Sequence, residues 1–269
     1  MVDLSNPNDF IKKLKQQHYN PGYKVDDMPQ IRAVYDFLEA NNYNRDNFML
    51  QLQNLILIKQ KNNDNTAAGY NPKTNTITYY DERDLIHELF HVASTQNDGH
   101  ASGISKYDGG IKINYGLDEG ITDMFAEMTD SSVPCGYPFE KMCAEMLRGL
   151  FGPQIFDAYF ENSYKHFIDS FPKELHASID DLITYLDEFQ DLTHSIYQDD
   201  YFEEDIETLV DITEHVMECL TEIAEAMGHD KSEAITFFNQ KSQEPKMEVI
   251  KELIRFDDAI QNISNRGLK

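Results

Sequence analysis

Basic residues are scarce in this chain: 23 Lys and Arg stand against 48 Asp and Glu over 269 residues, a formal charge of -25 at pH 7. A surface of that sign repels polyphosphate and anionic headgroups, so nucleic acid and membrane surfaces are excluded as expected partners. Long apolar runs are missing too. The longest are about the size of Leu55 to Ile58, far below the roughly 18 residues of a membrane span. The three cysteines, Cys135, Cys143 and Cys219, lack CxxC spacing. They are too few for a disulfide scaffold and fit a reduced compartment. The opening segment from Met1 to Asn20 has no apolar core of signal-peptide type, and a cytoplasmic location is expected. No internal repeat is present, which excludes solenoids.

What is there is ample apolar material, 41% hydrophobic and 12% aromatic, enough to bury one large core or two smaller ones. Up to about residue 116 the pattern is mixed. Pro29 to Ala40 reads helical, Phe48 to Ile58 is a second apolar-rich segment, Asn71-Pro72 marks a turn, and Thr76 to Tyr80 has strand composition. Beyond 116 the pattern is helical almost throughout. Ile206, Leu209, Val216, Leu220, Ile223 and Met227 recur at helical spacing, with Thr213 in the one missing seam position. The expected fold class is α+β: an N-terminal lobe, 1–116, with a small sheet and a chemistry-bearing helix, then a helical lobe, 117–269, with a cleft between them.

That helix is DERDLIHELFHVAS. Asp81 suits its N-cap, and Glu82 and Asp84 suit the positive end of its dipole. At about 100° per residue, Leu85, Ile86, Leu89, Phe90, Val92 and Ala93 fill an apolar arc, leaving His87, Glu88 and His91 together. Two imidazoles at i and i+4 can share one metal ion, with the intervening glutamate beside its open position. A chance HExxH is expected in roughly 2% of chains of this length and composition, so the pattern needs a third ligand. NYGLDEGITDMFAEM offers one. In a helix starting near Leu117, Ile121, Met124, Phe125 and Met128 form a buried stripe, and Glu119 and Asp123 sit together opposite it. A His, His, Glu set is the donor pattern of catalytic zinc. Asp123 could then fix a ligand histidine's tautomer.

HELFH at 87–91 and GLDEGITD at 116–123, with NTITYY upstream, resemble the gluzincin metallopeptidases related to thermolysin and the zinc aminopeptidases. The resemblance implies one Zn2+ per chain on His87, His91 and Glu119, Asp123 behind them, and Glu88 as general base. In that scheme zinc would acidify a water, and Glu88 would take its proton and pass it to the leaving amine. It also implies that substrate backbone adds to an edge strand, Thr76, Ile77, Thr78, Tyr79 and Tyr80. One position departs: Asp118 stands where many gluzincins have Asn. The metzincin pattern fails at Ser94 and Asn97, and Asp123 is a weaker alternative ligand.

The transition-state donor is open among Tyr107, Tyr115, His176 and Tyr185. Cys135 as an inhibitory thiol on zinc is less expected than as a free cysteine. The stretch from Glu174 to Asp230 holds 18 carboxylates and no Lys or Arg. A solvated face is the default for such a run, although it could hold a basic partner or draw basic peptides to the cleft. The expected function is zinc-dependent hydrolysis of a peptide or protein substrate. The alternative is a catalytically silent zinc-binding regulator that uses its acidic lobe to hold a partner.

Overall fold

A computed structural model describes residues 22–60, 68–95, 101–108, 111–198 and 201–266 and shows a mostly helical α+β protein with a small mixed sheet. Two compact units divide the chain. The first runs to Gly103 and adds Ala126–Pro134 and Phe160–Asn162; the second comprises Ile104–Phe125, Cys135–Tyr159 and Ser163–Lys269. No helix among the described residues is long and apolar enough to cross a membrane.

In the first unit, α1 (Pro29–Ala40) begins with a proline whose missing N–H is no loss in a first turn. It buries Ile31, Val34 and Leu38 completely. After α2 (Asp46–Leu52) come β1 (Ile56–Lys59), β2 (Gly69–Asn71) and β3 (Thr76–Tyr79), then α3 (Leu85–Ser94). Helix α3 packs on α1 and α2 and buries Leu85, Leu89, Phe90 and Val92, with Phe37 edge-on to Phe90 at 5.2 Å between centroids. Removing a ring as buried as Phe90 costs about 3–5 kcal/mol.

The turn that precedes α3 and the far end of α3 are tied down, while Asp84, the N-cap of α3 itself, makes no side-chain cap. Asp81 accepts from the Arg83 N–H at 2.9 Å, opening a short turn that leads into the helix. The Arg83 guanidinium beside it pulls the Asp81 carboxyl down to about 2. At the other end, side chains of α2 satisfy carbonyls that a helix terminus leaves without partners. Asn47 donates to the Ala93 oxygen at 3.0 Å and to that of Thr95 at 2.5 Å, and Gln51 donates to Thr95 at 3.2 Å.

The sheet corrects one expectation. Its order is β1-β3-β2, so the predicted edge strand is central. Thr76 to Tyr79 pair in parallel with Ile56 to Lys59, and Thr76 to Thr78 pair antiparallel with Gly69 to Asn71. Both sides of β3 are taken, and it offers no free edge to substrate backbone. Tyr80 lies past the strand end and donates to Gln60 at 2.7 Å. β-branched and aromatic composition marks a strand but not its place in a sheet. A central strand also shows the near-continuous burial seen at Thr76, Ile77 and Tyr79.

The second unit contains the hairpin β4 (Lys106–Asp108) and β5 (Ile111–Ile113), then α4 (Tyr115–Thr129), whose last turn from Ala126 is grouped with the first unit. It continues with α5 (Pro138–Phe151), the short α6 (Asp157–Phe160), whose last residue is grouped with the first unit, and α7 (Tyr164–Asp169), α8 (His176–Tyr197), α9 (Glu203–Ala226), α10 (Lys231–Lys241) and α11 (Phe256–Asn265). Helix α9 lies along α8, α10 and α11. Its seam holds in the middle and not at the ends: Leu209, Val216, Leu220 and Ile223 are fully buried, whereas Ile206 is only half-buried and Met227, just past the helix, is 37% exposed. Thr213 is fully buried too, and its hydroxyl returns to the Leu209 carbonyl at 2.9 Å.

Helix α4 differs from the expected two-faced helix. Ile121, Met124 and Phe125 are buried, but Met128, in the last turn, is 42% exposed. The opposite face is buried as well, with Asp118 and Thr122 at 0%, Asp123 at 3% and Glu119 at 9% exposure. Two glycines make this burial possible. A Cβ on Gly116 would stand 2.4 Å from the Leu186 carbonyl oxygen of α8, and one on Gly120 would stand 2.4 Å from the Glu140 carbonyl of α5. Neighbouring backbones thus lie directly on the polar side of α4.

Candidate metal centre

One turn of α3 separates His87 from His91, and their Nε2 atoms face each other at 3.2 Å. A tetrahedral zinc with bonds of about 2.0–2.1 Å would hold two ligand nitrogens about 3.3 Å apart, so the pair is already spaced for one ion. The same distance suits an N–H···N hydrogen bond, and the third donor therefore decides. Glu119 supplies it: one ligand atom from each of His87, His91 and Glu119 lies within 4.8 Å of the others. The donor set, two imidazoles and a carboxylate, fits a divalent metal. Glu88 is 6% exposed, on the same helix, and does not belong to the converging group.

Two of the three candidate ligands, His91 and Glu119, sit among supporting contacts that sequence reasoning missed. The hydroxyl of Ser102 lies 3.1 Å from His91 Nδ1, the nitrogen turned away from His87. The buried Asp118 accepts from the Ile104 N–H at 2.7 Å through Oδ1, which gives this carboxylate a structural role. Lys112 of β5 places Nζ 3.6 Å from Glu119 Oε1 and 5.6 Å from the Tyr115 ring centre. At the start of α4, Asp187 of α8 accepts from the N–H groups of Asn114 and Gly116 at 2.6 and 2.8 Å. A carboxylate there caps the helix and complements its dipole. No local spacing announces these long-range partners; only Asp187's place in the acidic run was visible.

Glu140, in the first turn of α5, is 2% exposed. Burial first, and then repulsion from Asp123 and Glu119, pushes its carboxyl up to about 8. It therefore carries a proton at neutral pH, adding no charge beside two other carboxylates. Asp123 directs Oδ2 to the Tyr137 N–H at 2.7 Å and the Cys135 thiol at 3.3 Å, anchoring the turn into α5. Burial, reinforced by that carboxylate, pushes the Cys135 thiol up, away from the reactive thiolate.

Three candidate donors are engaged elsewhere. The Tyr115 hydroxyl bonds to Asp191 and the Asp187 carbonyl, Tyr185 stacks on His215, and His176 contacts the Phe171 carbonyl. The Tyr107 side chain lies outside the described residues, as do His18, His100 and Asn97. Comparison of the chain with protein-family models, curated proteins and solved structures finds no match. The reading of the site rests on its own geometry.

Proposed function

We propose that this chain is a zinc-dependent peptidase of gluzincin type. The observation that carries the reading is the convergence of His87, His91 and Glu119 within 4.8 Å beside a buried glutamate one position after the first histidine. Two imidazoles and one carboxylate leave an open coordination position, the mark of catalytic rather than structural zinc. Zinc bound there supplies Lewis acidity toward water and a carbonyl oxygen.

The chain's own residues do the rest. Glu88 accepts the proton of the attacking water and delivers it to the leaving amine, so one carboxylate serves first as base and then as acid. Ser102 and Asp118 hold the ligand helices, and proton-bearing Glu140 limits the negative charge around Glu119.

Metal analysis of the purified protein should give about one zinc per chain. His87→Ala, His91→Ala and Glu119→Ala should each lower that stoichiometry. Retention of zinc by Glu119→Ala and its loss by Asp123→Ala would move the ligand to Asp123. Glu88→Gln should keep fold and metal while hydrolysis of a mixed peptide library falls by about 100-fold or more. A zinc-loaded parent that cleaves no member of the library would instead favour the silent metal-binding regulator.

A further inference from the structure

Consecutive residues between α3 and α4 hydrogen-bond to the two ligand helices. Ser102 meets His91 Nδ1, the Gly103 N–H donates to Ser94 Oγ at 2.9 Å, and the Ile104 N–H donates to Asp118 Oδ1. Ser94 in turn donates to the His91 carbonyl at 3.1 Å, and the Ala101 carbonyl accepts from Asn162 at 2.7 Å. All five residues from Ala101 to Ser105 are buried. Burial makes each of these polar contacts costly to break, because a buried N–H or carboxyl oxygen that loses its partner keeps its desolvation penalty.

We propose that the 101–105 segment is a strap that couples the two halves of the metal site, with Ser102 and Asp118 as its positioning residues. The inference rests on the reading of His87, His91 and Glu119 as metal ligands. With metal on Nε2, His91 Nδ1 carries the proton and donates it to Ser102, which fixes both tautomer and ring orientation. Two residues on, the Ile104 N–H is held by the residue that immediately precedes the ligand Glu119. The chain between these anchors is two peptide units long, and the φ and ψ of Gly103, the soft joint between those units, are restrained by burial and by the Gly103 N–H bond to Ser94. A shift at one anchor is therefore passed to the other. Asp118 supplies the acceptor at its end of the strap, and Asn could do the same through its carbonyl oxygen.

The test uses Ser102→Ala, Asp118→Ala, the double variant and the conservative Ser102→Thr and Asp118→Asn. Zinc affinity would be measured by chelator competition, and amide exchange in metal-free protein. Each alanine variant should bind zinc about tenfold more weakly, as loss of a ligand-orienting partner does elsewhere. The double variant should be no worse than about the weaker single, and Thr and Asn should restore affinity. In metal-free Asp118→Ala, protection should fall at the Gly103 amide as well as at Ile104, though Gly103's own acceptor is intact. Multiplying losses in the double variant, or exchange changing at Ile104 alone, would show two independent contacts and overturn the strap. Unchanged zinc affinity in the single variants, with binding still dependent on His87, His91 and Glu119, would overturn it while leaving the ligand assignment standing. A parent that binds no zinc would overturn both.

Discussion

Glu140→Gln should stabilise the metal-free protein, and by an amount that grows with pH. The carboxyl of Glu140 is pushed from 4.5 to about 8 in the folded chain, chiefly by burial. Below pH 4.5 the acid is protonated folded or unfolded and contributes no pH dependence. Between 4.5 and 8 the folded state retains a proton that the unfolded state has released, so stability falls as pH rises, by about 1.4 kcal/mol per unit. Above 8 both states are ionised and the loss levels off. At pH 7 the difference amounts to about 3 kcal/mol, a large share of a typical folding free energy of about 5–15 kcal/mol. Glutamine mimics the protonated acid in shape and hydrogen bonding but does not titrate. Urea unfolding of chelator-stripped parent and variant at pH 5, 7 and 8.5 reads the effect: the gap between their stabilities should open from near zero to several kcal/mol. Stability curves that stay parallel across this window would mean that Glu140 ionises normally and that its buried position imposes no such cost.

Lys112→Met should raise zinc affinity several-fold in chelator competition at low salt, since it removes a cation that pairs with Glu119; unchanged affinity would show that the pair does not compete with metal. Gly120→Ala should destabilise by about 1–3 kcal/mol in urea unfolding, the usual range for forcing extra volume into a packed site, because its Cβ would meet the α5 backbone at 2.4 Å. If exposed carboxylates of α8 and α9 attract basic peptides, kcat/KM for a Lys-containing peptide should exceed that of a matched neutral one. That ratio should shrink toward one as salt brings the screening length below about 10 Å. Equal kcat/KM at low salt would leave those charges no part in substrate capture.

Local signals carried much of the fold. Pro29 to Ala40, the Asn71-Pro72 turn, the Asp81 cap and the Thr213-interrupted seam of α9 are all written in neighbouring residues, and the helices and turns formed there. The His87 and His91 pair was legible for the same reason, since i and i+4 spacing places two rings on one face whatever else surrounds them. Glu119 also joins the expected group. The remainder depends on partners distant in sequence. That β3 is central follows from where Ile56 to Lys59 come to lie, and the burial of α4 on its polar side follows from backbones that meet Gly116 and Gly120. Those glycines were the available sign, because a helix that keeps two of them one turn apart gives up helical propensity for close approach.

The carboxylates between Glu174 and Asp230 are not interchangeable. Asp187 caps the helix of Glu119, the Tyr164 hydroxyl bonds to Asp180 and that of Tyr115 to Asp191, and Glu214 and Glu218 clasp Arg266 beyond α11. Others, such as Glu188, Glu207 and Glu222, face solvent. Anyone recharging this surface to alter solubility or chromatographic behaviour therefore has two classes of position to distinguish. Neutralising the solvent-facing acids changes the electric field around the protein and leaves its joints alone. Neutralising Asp187 would instead fray the first turn of α4, so an edit intended only for the exterior would loosen the helix that carries Glu119.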